Sequence, residues 1–214
     1  LTAWTGEDLS DQTILIHSEQ GFGDTIQFVR YAALLAERGA RVILETHAPL
    51  VRLMRSAPGV DQVVTRGEAL PQADFEAPAL SLPHLFATTP ETIPSQIPYL
   101  RPPPEASAGL GNFVSETNTK IGIVWAGRPS HKNDRNRSCP LSLFQPLGQI
   151  AAVRLFSLQM GEASGDLTGG TITDLAPKLE DFAATAAAIA GLDLIISVDT
   201  AVAHLAGALG KECW

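Results

Sequence analysis

The chain has 214 residues, of which 45% are hydrophobic and 18% are charged. This composition excludes a disordered chain, a collagen-like chain and a coiled coil, and it predicts one large globular domain or two smaller ones. The 15 lysines and arginines against 23 aspartates and glutamates give a formal net charge of −8. A surface of that charge argues against nucleic acid as a partner.

The sequence predicts no metal site, no disulfide framework and no membrane-spanning segment. The two cysteines, Cys139 and Cys213, lie far apart in sequence and predict neither a disulfide framework nor a zinc motif. The five histidines show no metal-binding spacing such as HExxH. Because the sequence has no run of about 18 apolar residues and no signal peptide, we predict a cytoplasmic protein without a transmembrane segment.

Strands and helices alternate in the first half of the chain. Short β-branched runs predict strands at residues 13–18, 41–45 and 61–64, and helices are predicted at residues 25–38 and 49–56. This order is typical of a parallel sheet. The proline-rich stretch from residue 70 to 104 predicts irregular loops with one short strand at residues 74–77.

The second half repeats the alternation. Strands are predicted at residues 120–125, 153–159 and 193–198, and helices at residues 140–150, 179–190 and 200–209. The segment PYLRPPPEASAG between the halves is typical of a linker. We therefore predict an α/β protein of two Rossmann-like domains, residues 1–104 and residues 116–214.

The loop after the first strand is rich in glycine. Ligands of open α/β sheets bind at the carboxyl ends of the strands, and there Gly21 and Gly23 would allow a close backbone approach or a positive φ. Asp24 either caps the following helix or acts as a general base for a hydroxyl group. Ile26 stands where a dinucleotide motif needs its third glycine, which argues against NAD.

A polar loop at residues 127–138 concentrates positive charge in an otherwise acidic chain. Such a loop after a buried strand would bind a diphosphate, or it is a solvated loop whose charges have no such role. Its candidate cations are Arg128, His131, Lys132, Arg135 and Arg137.

Asp199 and Thr200 follow the last predicted strand, and His204 lies one helical turn after Thr200. These three residues would hold the ribose and phosphates of a nucleotide, or else Asp199 is a helix cap and His204 a half-buried structural residue. A covalent nucleophile is not predicted, because the chain has no GxSxG or CxxC motif and Cys139 has no histidine partner nearby in sequence.

Three segments together resemble glycosyltransferase family 9, the ADP-heptose:lipopolysaccharide heptosyltransferases, and above all the branch found behind tetratricopeptide repeats in bacterial proteins. They are EQGFGDTIQFVRYAALLAERGARV, GIVWAGRPSHKNDRNRS and LEDFAATAAAIAGLDLIISVDTAVAHLAGALGK. The resemblance implies a GT-B fold, in which two Rossmann-like domains with parallel sheets face a cleft. It also implies inverting sugar transfer from a nucleotide-diphosphate sugar, without a metal or other cofactor.

The resemblance assigns roles to individual residues. Asp24 matches the proposed base, and Lys132, Arg135 or Arg137 matches the residue that holds the diphosphate. The nucleotide would be held by Asp199, Thr200 and His204, and Gly21 and Gly23 would complete the nucleotide-sugar site. Ala201 replaces a glycine of the heptosyltransferase motif and NDRNRS departs from the usual basic loop, so neither the sugar nor the nucleotide base follows.

The resemblance further implies a glycan, lipid-linked or protein acceptor, handled by the first domain, and protein partners bound through an upstream repeat region. It implies that the second domain continues beyond Trp214. A different class remains open: a catalytically silent nucleotide- or glycan-binding module attached to helical repeats. A GT-B epimerase is disfavoured, because only Asp24 and Glu19 in the first loop offer acid/base groups.

Overall fold

The computed structural model describes residues 1–107, 110, 118–167 and 170–214. The chain divides into two compact units, Leu1–Arg101 and Pro102–Trp214. Of the predicted linker PYLRPPPEASAG, residues 98–109, only residues 108 and 109 lie outside the described residues. The domain limits given above stay a prediction.

The first unit contains a five-stranded sheet in the order β1-β5-β2-β3-β4, and every neighbouring pair is parallel. The apolar side chains of β2 and β3 are buried on both faces, as in other parallel sheets covered by helices. The strands are β1 Thr2–Ala3, β2 Thr13–His17, β3 Arg41–Thr46, β4 Gln62–Thr65 and β5 Phe75–Pro78. The α-helices are α1 Phe22–Phe28, α2 Ala32–Glu37, α3 Val51–Met54 and α4 Leu82–Leu85.

The helix predicted at residues 25–38 is divided in two. A 3-10 turn, Val29–Tyr31, separates α1 from α2. The Arg30 side chain donates from Nε to the carbonyl of Gln27 at 2.9 Å, and a continuous α-helix would use that carbonyl for the amide of Tyr31. Further 3-10 turns, Ala48–Leu50 and Ala79–Ser81, precede α3 and α4.

The second unit contains a four-stranded parallel sheet in the order β8-β7-β6-β9. Residues 212–214 continue this sheet, since Cys213 forms a parallel bridge with Ile195 of β9. The strands are β6 Thr119–Val124, β7 Val153–Ser157, β8 Ile172–Asp174 and β9 Leu194–Ser197. The α-helices are α5 Asp134–Arg137, α6 Phe182–Ala190 and α7 Ala201–Ala208.

The predicted helix at residues 140–150 is wrong. Two 3-10 segments, Leu141–Leu143 and Gln145–Gln149, occupy this stretch. Pro146 has no amide proton, so an α-helix cannot keep its hydrogen bonds through this point. The apolar pattern had a different cause: Leu141 and Phe144 are buried against Trp125 in the core beneath β6.

The predicted helix at residues 179–190 begins later, because Asp181 is its N-cap and accepts a hydrogen bond from Ala184 N at 2.8 Å. Beyond the predicted strands, the structure adds β1 and β8, which have only two and three residues. Such short edge strands lack the length over which alternation can be read. Further 3-10 turns are Pro104–Ser107, Glu162–Asp166 and Ala176–Lys178.

A glycine allows α2 to pack closely on the turn that leads into β4. Gly59 has φ +80°, and a Cβ at this position would lie 2.6 Å from the carbonyl oxygen of Ala32 and 2.7 Å from Cα of Ala33. Both contacts are with backbone atoms, which a side-chain rotation cannot move away. Gly67 has a similar φ, +93°, but no atom within 4 Å of the same Cβ position.

We therefore expect Gly59→Ala to destabilise the first unit more than Gly67→Ala. The strained φ alone costs about 1–2 kcal/mol, and the collision with α2 adds about 1–3 kcal/mol at Gly59 only. Urea unfolding of the two variants measures the difference. Equal losses of unfolding free energy in the two variants would show that α2 moves to accommodate the extra methyl group at residue 59.

Candidate functional site

Asp24 lies at the start of α1, directly beyond the carboxyl end of β2. Its Oδ2 accepts a hydrogen bond from Gly21 N at 3.1 Å, with Gly21 as the N-cap residue of the helix. The predicted capping role is thus confirmed. The side chain is half-buried, and Oδ1 accepts no hydrogen bond from the described residues. One carboxylate oxygen therefore remains available to a ligand.

The glycines of this loop do not use positive φ. Gly21 is extended, with φ −71° and ψ 172°, and Gly23 lies inside α1. The predicted positive φ at these glycines is therefore wrong. The predicted close approach of a ligand to their backbone remains a prediction. Adding a Cβ to Gly21 would place it 3.6 Å from Asp24 Oδ2, an ordinary contact distance.

A histidine directly after the next strand, β3, fixes the loop that carries Asp24. His47 Nε2 lies 3.1 Å from the carbonyl oxygen of Gln20. Its ring also meets Phe22 edge-on, with 5.3 Å between centroids. In addition, Ser18 donates both its amide and its hydroxyl to the carbonyl of Glu45. The start of α1 is therefore tied to the carboxyl end of β3.

The basic loop folds back on its own beginning. Gly127 N donates to Ser138 Oγ at 2.9 Å, and Ser138 Oγ donates to Asp134 Oδ1 at 2.8 Å. Arg137 Nε lies 3.6 Å from the same Asp134 oxygen. These contacts close the loop and give it a defined shape.

The positive charges of this loop fall into two groups. The Arg137 side chain is only 18% exposed and donates from Nη1 to the Asp199 carbonyl, although its buried Nε has no hydrogen-bond partner among the described residues; Arg128, His131, Lys132 and Arg135 are exposed. Within the described residues, Arg128, Lys132 and Arg135 have no ion-pair or hydrogen-bonding partner through their side chains. They are therefore the cations that an incoming anion can reach without breaking a protein contact.

The turn between β9 and α7 presents the third group of predicted residues. The Asp199 side chain is 75% exposed, and Thr200 is the N-cap residue of α7. Thr200 Oγ1 and Ser197 Oγ are 3.0 Å apart, and Ser197 Oγ donates to the carbonyl of Val198. His204 lies half-buried on the first turns of α7. The predicted capping by the Asp199 side chain is wrong, because the cap position belongs to Thr200.

Arg137 joins the basic loop to this turn. Its Nη1 donates to the backbone carbonyl of Asp199 at 3.1 Å and lies 3.8 Å from Asp199 Oδ2. The structure thus brings the basic loop and the β9–α7 turn together at one edge of the second sheet. This is the edge where ligands of parallel sheets bind.

Gln159 is a residue of this edge that sequence reasoning missed. Its side chain, 2% exposed, accepts hydrogen bonds from Trp125 N and Ala126 N at 3.1 and 2.9 Å. Its Nε2 donates to the carbonyls of Ala126 and Met160, each at 3.0 Å. Gln159 therefore holds the chain where it leaves β6 and enters the basic loop. A polar residue at the end of the apolar strand predicted at residues 153–159 is the signal that the sequence offers for it.

Neither thiol is activated. Burial raises the pKa of Cys139 and of Cys213 above that of a free cysteine, so both are protonated at neutral pH. Across residues 1–107, 110, 118–167 and 170–214, no three His, Cys, Asp or Glu side chains are grouped as metal ligands would be. Of the helices described, none combines the length and apolar character needed to cross a membrane.

The chain is similar to proteins of one glycosyltransferase family. Residues 153–213 match the model described as glycosyltransferase family 9 (heptosyltransferase). The chain is 25% identical to Protein FlbA of Caulobacter vibrioides, with 97% of this chain and 39% of that protein covered. It therefore spans well under half of the length of this relative.

Solved structures share the fold at low sequence identity. A family 9 glycosyl transferase from Veillonella parvula has a TM-score of 0.72 at 12% identity, covering 98% of this chain and 81% of its own. E. coli heptosyltransferase WaaC with ADP-2-deoxy-2-fluoro heptose has a TM-score of 0.59 at 14% identity, covering 94% and 87%. The predicted α/β fold is thus confirmed: the chain has two sheets of parallel strands and the GT-B fold of the heptosyltransferases, and its β7–α7 region matches glycosyltransferase family 9.

Proposed function

We propose that the chain is the glycosyltransferase part of its protein and moves a sugar from a nucleoside diphosphate sugar to an acceptor hydroxyl, with inversion and without a metal. The observation that carries this proposal is the family match over residues 153–213. The matched region includes the β9–α7 turn, where Asp199 and Thr200 lie beside the basic loop. A nucleotide site at the carboxyl edge of the second sheet fits that arrangement.

In this proposal the second unit binds the donor. Asp199, Thr200 and His204 hold the nucleoside, and Lys132 and Arg135 bind the diphosphate with charge-assisted hydrogen bonds. Negative charge grows on the diphosphate as its bond to the sugar breaks. Lys132 and Arg135, placed beside the leaving diphosphate, stabilise this developing charge and so lower the activation barrier.

The first unit activates the acceptor. The acceptor oxygen forms a bond to the anomeric carbon while the bond from that carbon to the diphosphate oxygen breaks, so the configuration inverts. The proton of the acceptor hydroxyl passes to the Asp24 carboxylate. Gly21 N binds Oδ2, so Oδ1 is the oxygen that takes the proton.

A silent binding module remains the second candidate. It is favoured by one observation, the use of Asp24 Oδ2 as a helix cap, which explains an aspartate at this position without catalysis. Such a module would bind a nucleotide or glycan and show no turnover. Its attachment to tetratricopeptide repeats stays a prediction.

Nucleotide binding is the first test. The neighbour with a bound ADP-heptose analogue leads us to expect that ADP raises the Tm more than UDP or GDP. Ligand at about 100 times its Kd stabilises the folded state by about 2.7 kcal/mol. Asp199→Asn removes the carboxylate charge and should reduce the shift. No shift with any of the three nucleotides would contradict the proposed donor site.

Asp24→Asn tests the catalytic role. Asparagine keeps an oxygen for the Gly21 amide, so the helix cap remains, but the amide cannot take a proton. We expect ADP release from ADP-heptose to fall about 100- to 10,000-fold, with the Kd for ADP unchanged. Glu19→Gln, an exposed carboxylate in the same loop, is the matched control and should keep its activity. Full turnover in Asp24→Asn would exclude the base role.

Gln159→Leu tests the support of the basic loop. Leucine leaves the buried amide of Trp125 and the partly buried amide of Ala126 without an acceptor, and a buried amide without a partner costs about 1–3 kcal/mol. We expect lower stability in urea unfolding together with weaker ADP binding. Gln159→Glu keeps the acceptor but loses the Nε2 donor to the carbonyls of Ala126 and Met160 and buries a charge, so it should lose stability as well. Gln149→Leu, at an exposed position, is the control. An equal effect of this substitution would show that Gln159 has no special role in holding the basic loop.

A further inference from the structure

The Arg137 guanidinium occupies a notch in the basic loop. A Cβ on Gly127 would lie 2.6 Å from Nη2, 2.7 Å from Nε and 2.8 Å from Cζ of Arg137. A Cβ at residue 127 would therefore displace the guanidinium from this position. Gly127 has no positive φ, so the need for glycine comes from Arg137 and not from the backbone.

The guanidinium is held on two sides. Asp134 Oδ1 lies 3.6 Å from Nε, and the carbonyl of Asp199 accepts from Nη1 at 3.1 Å. Asp134 is itself fixed by the hydroxyl of Ser138, which also binds Gly127 N. Gly127, Asp134, Arg137 and Ser138 thus form one unit that ends on the β9–α7 turn, and we call it the Arg137 clasp.

The contact with the turn is mainly a backbone contact. The Asp199 carboxylate is 75% exposed and 3.8 Å from Nη1, and an ion pair of that exposure and distance adds little stability. The hydrogen bond to the Asp199 carbonyl is shorter, and its donor is only 18% exposed. Arg137 therefore fixes the path of the backbone, whichever ligand the Asp199 side chain meets.

We propose that Arg137 is a positioning residue, which sets the β9–α7 turn so that Asp199 and Thr200 meet the nucleoside, and that Gly127 is required to seat it. This inference rests on the proposed function. It separates Arg137 from Lys132 and Arg135: these two exposed residues contact the diphosphate, whereas Arg137 acts through the turn.

A double-mutant cycle of Gly127→Ala and Arg137→Ala tests the clasp. Binding is measured by calorimetry at 10 °C with whichever of ADP, UDP and GDP binds tightest to the wild type, and with the matching nucleoside. We expect each single variant to weaken binding about 10-fold, and the double variant to bind no more weakly than Arg137→Ala, since residues that act together are not additive. Gly165→Ala, where a Cβ meets no atom within 4 Å, is the control and should bind normally.

Three results would overturn the inference. If Arg137 contacts the diphosphate directly, Arg137→Ala weakens the nucleotide but not the nucleoside, and Arg137→Lys restores part of the affinity. A merely structural role lowers the Tm of the variants and leaves their affinities at 10 °C unchanged. Additive effects of the two substitutions would show that Gly127 and Arg137 are independent. A wild-type protein that binds no nucleotide overturns the proposed function itself, and a binding wild type with an unaffected Arg137→Ala overturns only the clasp.

Discussion

β6 pairs in parallel with β7 on one side and with β9 on the other, and the candidate donor site depends on this pairing. Because parallel strands end at the same edge, the segments after Val124, Ser157 and Ser197 meet there although they are far apart in sequence. Gln159 then holds the end of β6, and Arg137 connects the following loop to the end of β9. Without this register none of these contacts can form.

The basic loop shows how one short segment divides its charges between structure and binding. Arg137 is seated over Gly127 and bonded to the Asp199 backbone, whereas Lys132 and Arg135 stay exposed. An exposed cation can give its hydrogen bonds to a diphosphate at little cost in protein contacts. A cation buried in the fold, such as Arg137, is harder for a diphosphate to reach, and the donor that it gives to the Asp199 carbonyl is already in use. Counting the cations in the sequence cannot make this distinction.

The first unit places Asp24 by the same means. Its helix starts after β2, and the loop before it is tied to β3 through His47 and Ser18. Asp24 contributes to its own placement, since Oδ2 binds Gly21 N. Capping and proton transfer are therefore compatible, because a carboxylate has two oxygens and the cap uses one.

Periodicity and glycine signals in the sequence were enough to predict the long strands, the alternation with helices and the loops that carry Asp24, the basic residues and Asp199. Local hydrogen bonding then changed the details: Pro146 prevents a helix at residues 140–150, and the 3-10 turn Val29–Tyr31, where the Arg30 side chain binds the Gln27 carbonyl, interrupts the helix predicted at residues 25–38. The roles of Gln159 and of Arg137 with Gly127 were decided only by the tertiary structure. Each depends on contacts between segments 10 to 62 residues apart. The sequence does not show which of these segments meet, because that depends on the parallel pairing that brings the strand ends together.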